Sequence, residues 1–408
     1  MTRTEHRLED ALRAKASTVR TDQLRPLTQP RRRSVRVRAW LAPVAAAAAV
    51  ALVIGLAVTI TGHVHSLREP QSSASATASA PPRYYAQAYG GNLGGQVLVR
   101  SVVTGAITGR PANPAAAVNP QLKTAAPVEV AAAPDDRTFY VEYFLESRTM
   151  LYSFGITNRG SVTSMTLVKG GVLNAEGSAL DIANLAVSPD GTSLALTVDT
   201  TYSARTPAVA DEIIVLDLRT GTRRVWQGGL NKSGSLFSIQ SLSWAGTGTL
   251  DFLSTWCTPS NTPCASSDDD NWDAQIRSLN VASGRGSLAD SIVRLRESAT
   301  YPHIASMVAD QQGSLSVVVL TSPDKAAYAP ATVIVDKVQA SSGALQQVLY
   351  HRSFNHTSAV NSYKIGADPT GRYLTLSISA GINYLDGWLD QGVLRPIPVS
   401  SAGYSIAW

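Results

Sequence analysis

Beyond residue 83 the apolar positions fall into short runs rich in Val, Ile, Leu and Tyr, each bounded by Gly, Asp, Ser or Pro. That is a strand pattern, with no sustained helical stripe. The runs repeat as a unit: an apolar strand, a turn rich in Pro, Asp and Gly, two further strands, then a Gly-containing hairpin and a fourth strand. LAVSPDGTSLALTV at 185–198 is the clearest copy. In its turn Pro presets φ, Asp can accept from backbone N–H groups and Gly accepts positive φ. Comparable first turns lie at Pro134-Asp135-Asp136, at 245–248, at 310–313 and at 368–371. Hairpin signals recur at Thr104-Gly105, Arg159-Gly160, Thr220-Gly221, Ser283-Gly284, Ser342-Gly343 and Gln391-Gly392.

Six hairpins against five first turns are what a closed ring with one divided blade requires. The last apolar run, YSIAW at 404–408, has no blade of its own, while RYYAQAY, GQVLVRSVV and AITGR at the start supply a second, third and fourth strand without a first. Pairing the ends predicts an all-β fold, a six-bladed β-propeller over residues 83–408 closed by the C-terminal strand, which leaves only short sheet edges. The segments VSPDGTSLALTV, EIIVLDLRTGTRRVW and VAAAPDDRTFYVEYF resemble the repeats of TolB-like and WD-repeat-like bacterial propellers. The chain as a whole resembles actinobacterial membrane-anchored propeller proteins with an arginine-rich cytoplasmic arm. The Gly-His and Trp-Asp dipeptides of true WD repeats are absent, so the resemblance implies the ring and not its ligand.

Upstream the pattern changes. Residues 40–62, WLAPVAAAAAVALVIGLAVTITG, carry no fixed charge, and as a helix they would reach roughly 34 Å, enough for one membrane crossing. Arg31, Arg32, Arg33, Arg36 and Arg38 precede this segment, which places the N-terminus in the cytoplasm and the propeller outside a bacterial cell membrane. A cleaved signal peptide is the alternative, but the apolar run is longer than such segments and follows a long polar stretch. Residues 63–82 read as a flexible linker. Residues 1–39 form a basic arm, in which Thr2 and Glu5 have capping-box spacing and Leu8, Leu12, Ala16 and Val19 share a helical stripe. That stripe is a candidate surface for a cytoplasmic partner; the alternative is a frayed helix on a stalk that only orients the chain.

Charge sharpens the division. Residues 1–39 hold 11 Lys and Arg against four Asp and Glu, while the rest holds 24 against 26, so no nucleic-acid partner is expected for the propeller. Three links between second and third strands, around 200–210, 257–273 and 321–331, are enlarged and leave the ring on one face, where binding loops belong. Candidate contacts there are Tyr202, Arg205, Asp268, Asp269, Asp270, Trp272, Asp273, Tyr328, His303 and His356, with His351 in a neighbouring link. Cys257 and Cys264, six residues apart with no second pair to complete a metal site, read as a disulfide outside the cytoplasm. The acidic run lacks the spacing of a calcium loop, and the dispersed histidines do not make a zinc site. No metal and no cofactor are expected.

There is no Gly-x-Ser-x-Gly elbow, no His-Glu-x-x-His, no phosphate loop and no dinucleotide fingerprint. The expected function is therefore a membrane-anchored sensor or adaptor whose propeller binds a protein, peptide or cell-wall ligand. Its arm would address a cytoplasmic protein such as a sigma factor. The alternatives are a passive assembly scaffold and a hydrolase of the lactonase or glycosidase kind.

Overall fold

The computed structural model describes residues 82–408 apart from 90–94, 115–125, 146–147, 175–179, 201–210, 230–235, 258–273, 285, 322–331, 355–359, 369–370, 372, 381–382, 391 and 398–404. The arm with Leu8, Leu12 and Val19, the apolar segment 40–62 and most of the linker lie outside these residues. Among the described residues no helix is long and apolar enough to cross a membrane.

Six antiparallel sheets follow one another along the chain. Blade 1 contains β1 (Tyr84–Tyr89), β2 (Gln96–Ser101) and β3 (Ile107–Gly109), and blade 2 contains β4 (Ala126–Ala132), β5 (Thr138–Leu145), β6 (Arg148–Gly155) and β7 (Thr166–Asn174). Blade 3 comprises β8 (Leu180–Val187), β9 (Ser193–Thr200), β10 (Glu212–Asp217) and β11 (Arg223–Gln227). Blade 4 is built from β12 (Leu236–Gly246), β13 (Thr249–Cys257), β14 (Gln275–Asn280) and, beyond a short β15 (Gly286–Ser287), β16 (Ile292–Arg296). Blade 5 has β17 (Ile304–Ala309), β18 (Ser314–Thr321), β19 (Thr332–Gln339) and β20 (Leu345–Ser353). Blade 6 has β21 (Val360–Ala367), β22 (Leu374–Ala380), β23 (Asn383–Asp390) and β24 (Val393–Pro396). The last strand, β25 (Ile406–Ala407), returns to pair antiparallel with β1, Ala86 opposite Ala407 and Gln87 opposite Ile406.

The first strands touch in succession, β25 with β4, then β8, β12, β17 and β21, which meets β25 again. The ring of six blades is thus closed as the turn pattern predicts. Two local expectations change. His351 lies within β20 and not in a link. The fourth hairpin is widened by 3-10 turns at Val281–Ser283 and Leu288–Asp290, and between them β15 reaches over to pair in parallel with β11 of blade 3.

Why these residues form these elements is visible at the turns. All six hairpin glycines, at 105, 160, 221, 284, 343 and 392, take φ between 67° and 87°, a left-handed conformation that costs most residues free energy and costs Gly little. At the first turns Asp135 accepts the N–H groups of Arg137 and Thr138, and Asp310 those of Gln312 and Ser314. Asp136 occupies the place of Gly191 and Gly371 with φ 54°, the one positive-φ non-glycine residue among those described.

The core is divided among the blade interfaces. Alternating side chains of one sheet meet those of the next, as in Val97, Val99, Val130, Phe139 and Phe154 between blades 1 and 2. At the closing interface a smaller cluster of Tyr85, Val102, Tyr373, Ile397 and Trp408 is completed by Trp388. The rings of Tyr373, Trp388 and Trp408 meet edge to face, with centroids 5.7–6.5 Å apart. Trp408 is 2% exposed. Trp408→Ala should therefore lower the unfolding free energy by about 3–5 kcal/mol, read from chemical denaturation of the purified chain. A loss below about 1 kcal/mol would show that the ring closes without it.

Candidate functional site

The first strands carry a polar residue four positions before the residue that opens each first turn (133, 188, 245, 310 and 368): Glu129, Asn184, Ser241, Ser306 and Lys364, with Ser405 at the matching place just before β25. Near this level each complete first strand has a register irregularity against its second strand, at Pro127/Val130, Ile182/Asn184, Ile239/Ser241, Ile304/Ser306 and Val360/Ser362. A bulge bends the strand and frees backbone groups from the ladder. Neighbouring blades take up several of these groups. Val130 N donates to Ser405 Oγ at 3.2 Å, Ile365 N to Ser306 Oγ at 3.4 Å, and Ile239 N to the Asp211 carboxylate at 2.6 Å. Ser241 and Ser306 share a hydroxyl hydrogen bond at 3.1 Å.

The ring encloses a cavity of about 160 Å³ on its axis, lined by residues of all six first strands. Glu129, Asn184, Ser241, Ser306 and Lys364 lie at its mid-strand level, and Asp310, Asp368 and Trp408 lie towards the first-turn end. Lys364 of blade 6 donates to the buried carboxylate of Glu129 in blade 2, spanning past β25. A charge this buried needs its partner, because an unpaired carboxylate away from water is costly. The other four ring positions are small or neutral. The axis is therefore a polar, water-accommodating cavity with one charged chord, able to hold small polar groups by hydrogen bonds.

Acidic residues gather at the first-turn end. Burial and then the charges of Asp368 and Asp135 raise the Asp136 carboxyl above its ordinary value. Burial also acts upward on Asp135, but the hydroxyl and N–H of Thr138 and the N–H of Arg137 outweigh it and hold that carboxyl low. Deeper in the blades, burial raises Asp251 against the pull of Ser278 and Arg294, and burial alone raises Asp336. These two carboxyls sit inside separate sheets and do not converge on the cavity. Among the described residues no group of three or more His, Cys, Asp or Glu could hold a metal ion.

The opposite end of the ring launches the long links. β9 ends at Thr200 and β10 begins at Glu212; β13 ends at Cys257 and β14 begins at Gln275; β18 ends at Thr321 and β19 begins at Thr332. Blades 3, 4 and 5 thus send their longest connections from one end of the ring. Tyr202, Arg205, Cys264, Asp268, Asp269, Asp270, Trp272, Asp273, Tyr328 and His356 lie outside the described residues.

His303 is described. It sits in the link from β16 to β17, where its Nδ1 lies 3.6 Å from Glu297 Oε1, an oxygen that also accepts Ile304 N at 3.0 Å. The hydrogen bond to Glu297 raises the imidazole above its ordinary value despite burial. The axial ring, unlike the links, was not picked out from the sequence. Its signal was a polar residue at constant offset from each inner turn inside otherwise apolar strands.

No protein-family model matches the chain, and no curated protein matches it. Solved structures do. The crystal structure of TolB from Acinetobacter baumannii is 14% identical, covering 81% of this chain and 68% of that one with a TM-score of 0.48. A Synechocystis apocarotenoid oxygenase mutant is 12% identical, covering 76% and 72% with a TM-score of 0.44. The β-propeller domain of Myceliophteria thermophila Cps50 (Swd1) is 11% identical, covering 76% and 80% with a TM-score of 0.38. These are likenesses to other β-propellers, and no binding or catalytic residue is transferred from them.

Lys364→Met should cost about 1–3 kcal/mol, reduced from the fully buried case because the ammonium is partly solvated, and adding Glu129→Gln should restore most of the loss in the same denaturation assay. For His303, a folded value above the unfolded one near 6.5 means that its contact stabilises fully below about pH 6.5. That contribution is lost as pH rises through the folded value. An NMR titration should find His303 above its ordinary value and Glu297→Gln should bring it down.

Proposed function

We propose that the protein is a membrane-anchored binding module or adaptor, with residues 40–62 crossing a bacterial membrane and the propeller outside the cell. The observation that carries this reading is the concentration of long links at one end of a closed, rigid ring, in three consecutive blades. A rigid scaffold displaying long loops is suited to recognising a surface larger than a metabolite. The ligand class is a protein, a peptide or a cell-wall fragment, met by Tyr202, Arg205, Trp272 and Tyr328 together with the acidic run 268–273. A Cys257–Cys264 bridge would hold the middle link in shape, contributing roughly 2–3 kcal/mol by loop closure.

The arm supplies the adaptor half. A capped amphipathic stripe of about 15 residues is marginal alone in water and is stabilised by docking on a partner, so Leu8, Leu12 and Val19 are assigned to a cytoplasmic protein of the sigma-factor kind. Photo-crosslinkers at Leu8 and at Trp272, introduced into the full chain in cells, should capture two different and specific partners. Removing residues 2–25 should abolish the first adduct and the cellular output while leaving the second. Output that survives this deletion would reduce the protein to a passive scaffold.

A further inference from the structure

The described residues that expose large apolar side chains are confined to one rim of the ring. Ile107, Ile292, Leu345 and Val393 each open the fourth strand of a blade, Leu167 is the second residue of such a strand, and Val103 lies in the hairpin before β3. Val348 follows one turn of pleat later in β20. Exposure reaches 84% at Val103 and 61% at Ile292. Fourth strands begin at the first-turn end, so these side chains mark the outer perimeter of that end in five of the six blades. The other ends of three of these strands are polar: Arg110 follows β3, Arg296 closes β16, and His351, Arg352 and Ser353 close β20, all exposed. In blade 3 the equivalent first residue is Arg223, which donates to the carbonyls of Gly170 and Val172.

Single exposed apolar residues need no explanation. A perimeter of them is different when it coincides with the place where the chain comes in. Val102 N donates to Arg83 O at 3.0 Å, beside Val103, and Tyr84 Oη donates to Asn158 O at 3.2 Å in the hairpin before β7. The chain therefore reaches the ring at its first-turn end, after residues 63–82 and the apolar segment 40–62. Twenty residues of the composition read above as a linker would span about 25 Å root-mean-square. Along the same rim Arg159, Lys169 and Arg219 are exposed, and the acids there are Asp217, Asp290 and Asp390, while Asp135, Asp136, Asp190, Asp310 and Asp368 sit in the first turns around the axis.

We propose that this perimeter is a membrane-docking surface, on which the first-turn end of the propeller rests against the bilayer that its own segment 40–62 crosses. The inference rests on the anchored reading above. Apolar side chains interleaved with Arg and Lys suit the interfacial zone of a lipid bilayer. The linker supplies the high local concentration that lets individually weak contacts act together. Docking at this end turns the long links away from the lipid.

The test uses the full chain reconstituted in phosphatidylcholine vesicles, with and without phosphatidylglycerol, carrying p-benzoylphenylalanine at Val103, Ile292 or Val393 and, as control, at Arg352. Lipid adducts should form at the three rim positions roughly tenfold or more above Arg352, in at least one of the two compositions. Equal yields at all four positions, or adducts to a second copy of the chain or to another protein, would overturn the docking surface while carbonate-resistant association left the anchor standing. Release by carbonate would remove both. In a separate arm, Val103→Asp, Ile292→Asp and Val393→Asp together should leave the thermal midpoint in place and lower the lipid adduct from a probe at Leu345 about fivefold or more; an unchanged adduct would also refute the proposal.

Discussion

Everything in this molecule depends on one short piece of pairing, β25 against β1. A propeller blade needs its first strand, and blade 1 receives its own from the far end of the chain, through two residues laid against Ala86 and Gln87. Two ladder positions are a slender closure for a ring that buries apolar surface at every blade interface. The remainder comes from side chains. Trp408 packs on Tyr373 and Trp388 of blade 6 and on Tyr85 of blade 1, while Ser405 both accepts from Val130 N and donates to Val130 O of blade 2. The closing strand is thus held from three blades at once. Opening it would expose the aromatic cluster and unpair the bulged backbone together, which makes closure cooperative.

The axis shows how the repeated unit was broken to make one place unlike the others. Equivalent positions hold Ser three times and Asn once, but Glu129 and Lys364 stand on either side of the closing blade. Their ion pair joins blades 2 and 6 across the seam that β25 fills. A buried charged pair adds little net stability over an apolar packing of the same volume, but it disfavours any arrangement that separates the partners. The pair sits beside the seam where β25 closes the ring. Arginine can be buried in a sheet when its donors are taken up. Arg277 is an example: its guanidinium donates to Gln275, Ser291 and the Ala289 carbonyl while lying over Phe237.

The fold was legible because the ring is written in local chemistry. Each hairpin Gly that the spacing singled out sits at positive φ, and the unmatched first and last strands found each other. What the repeat could not show were departures from it. Asp136 takes a left-handed conformation that glycines fill in other blades, because a short polar side chain tolerates that conformation. β15 reinforces the edge of blade 3 through a parallel pairing of two residues, too short to leave a periodic signal. The Glu129–Lys364 pair joins residues far apart in sequence, and only closure of the ring makes them partners. The candidate link residues lie outside the described ones, whereas the strands that launch them stand where the pattern put them.

The two ends of the ring differ in a way that bears on how such a protein could pass information. Blades packed through continuous apolar interfaces and stapled by hydroxyls resist relative movement, so a ligand held by the long links has little means of reshaping the first-turn end. If residues 40–62 cross a membrane as proposed, a lone crossing segment would likewise offer no second element to push against. On the anchored reading, the variable left to the system is therefore the population of docked and released propellers, or of separate and associated chains. A ligand bridging the long links to the cell wall would favour release by differential binding, since it could reach only the undocked ring. The cytoplasmic arm would then report the change through its local concentration and company, and not through a conformational signal carried along the helix.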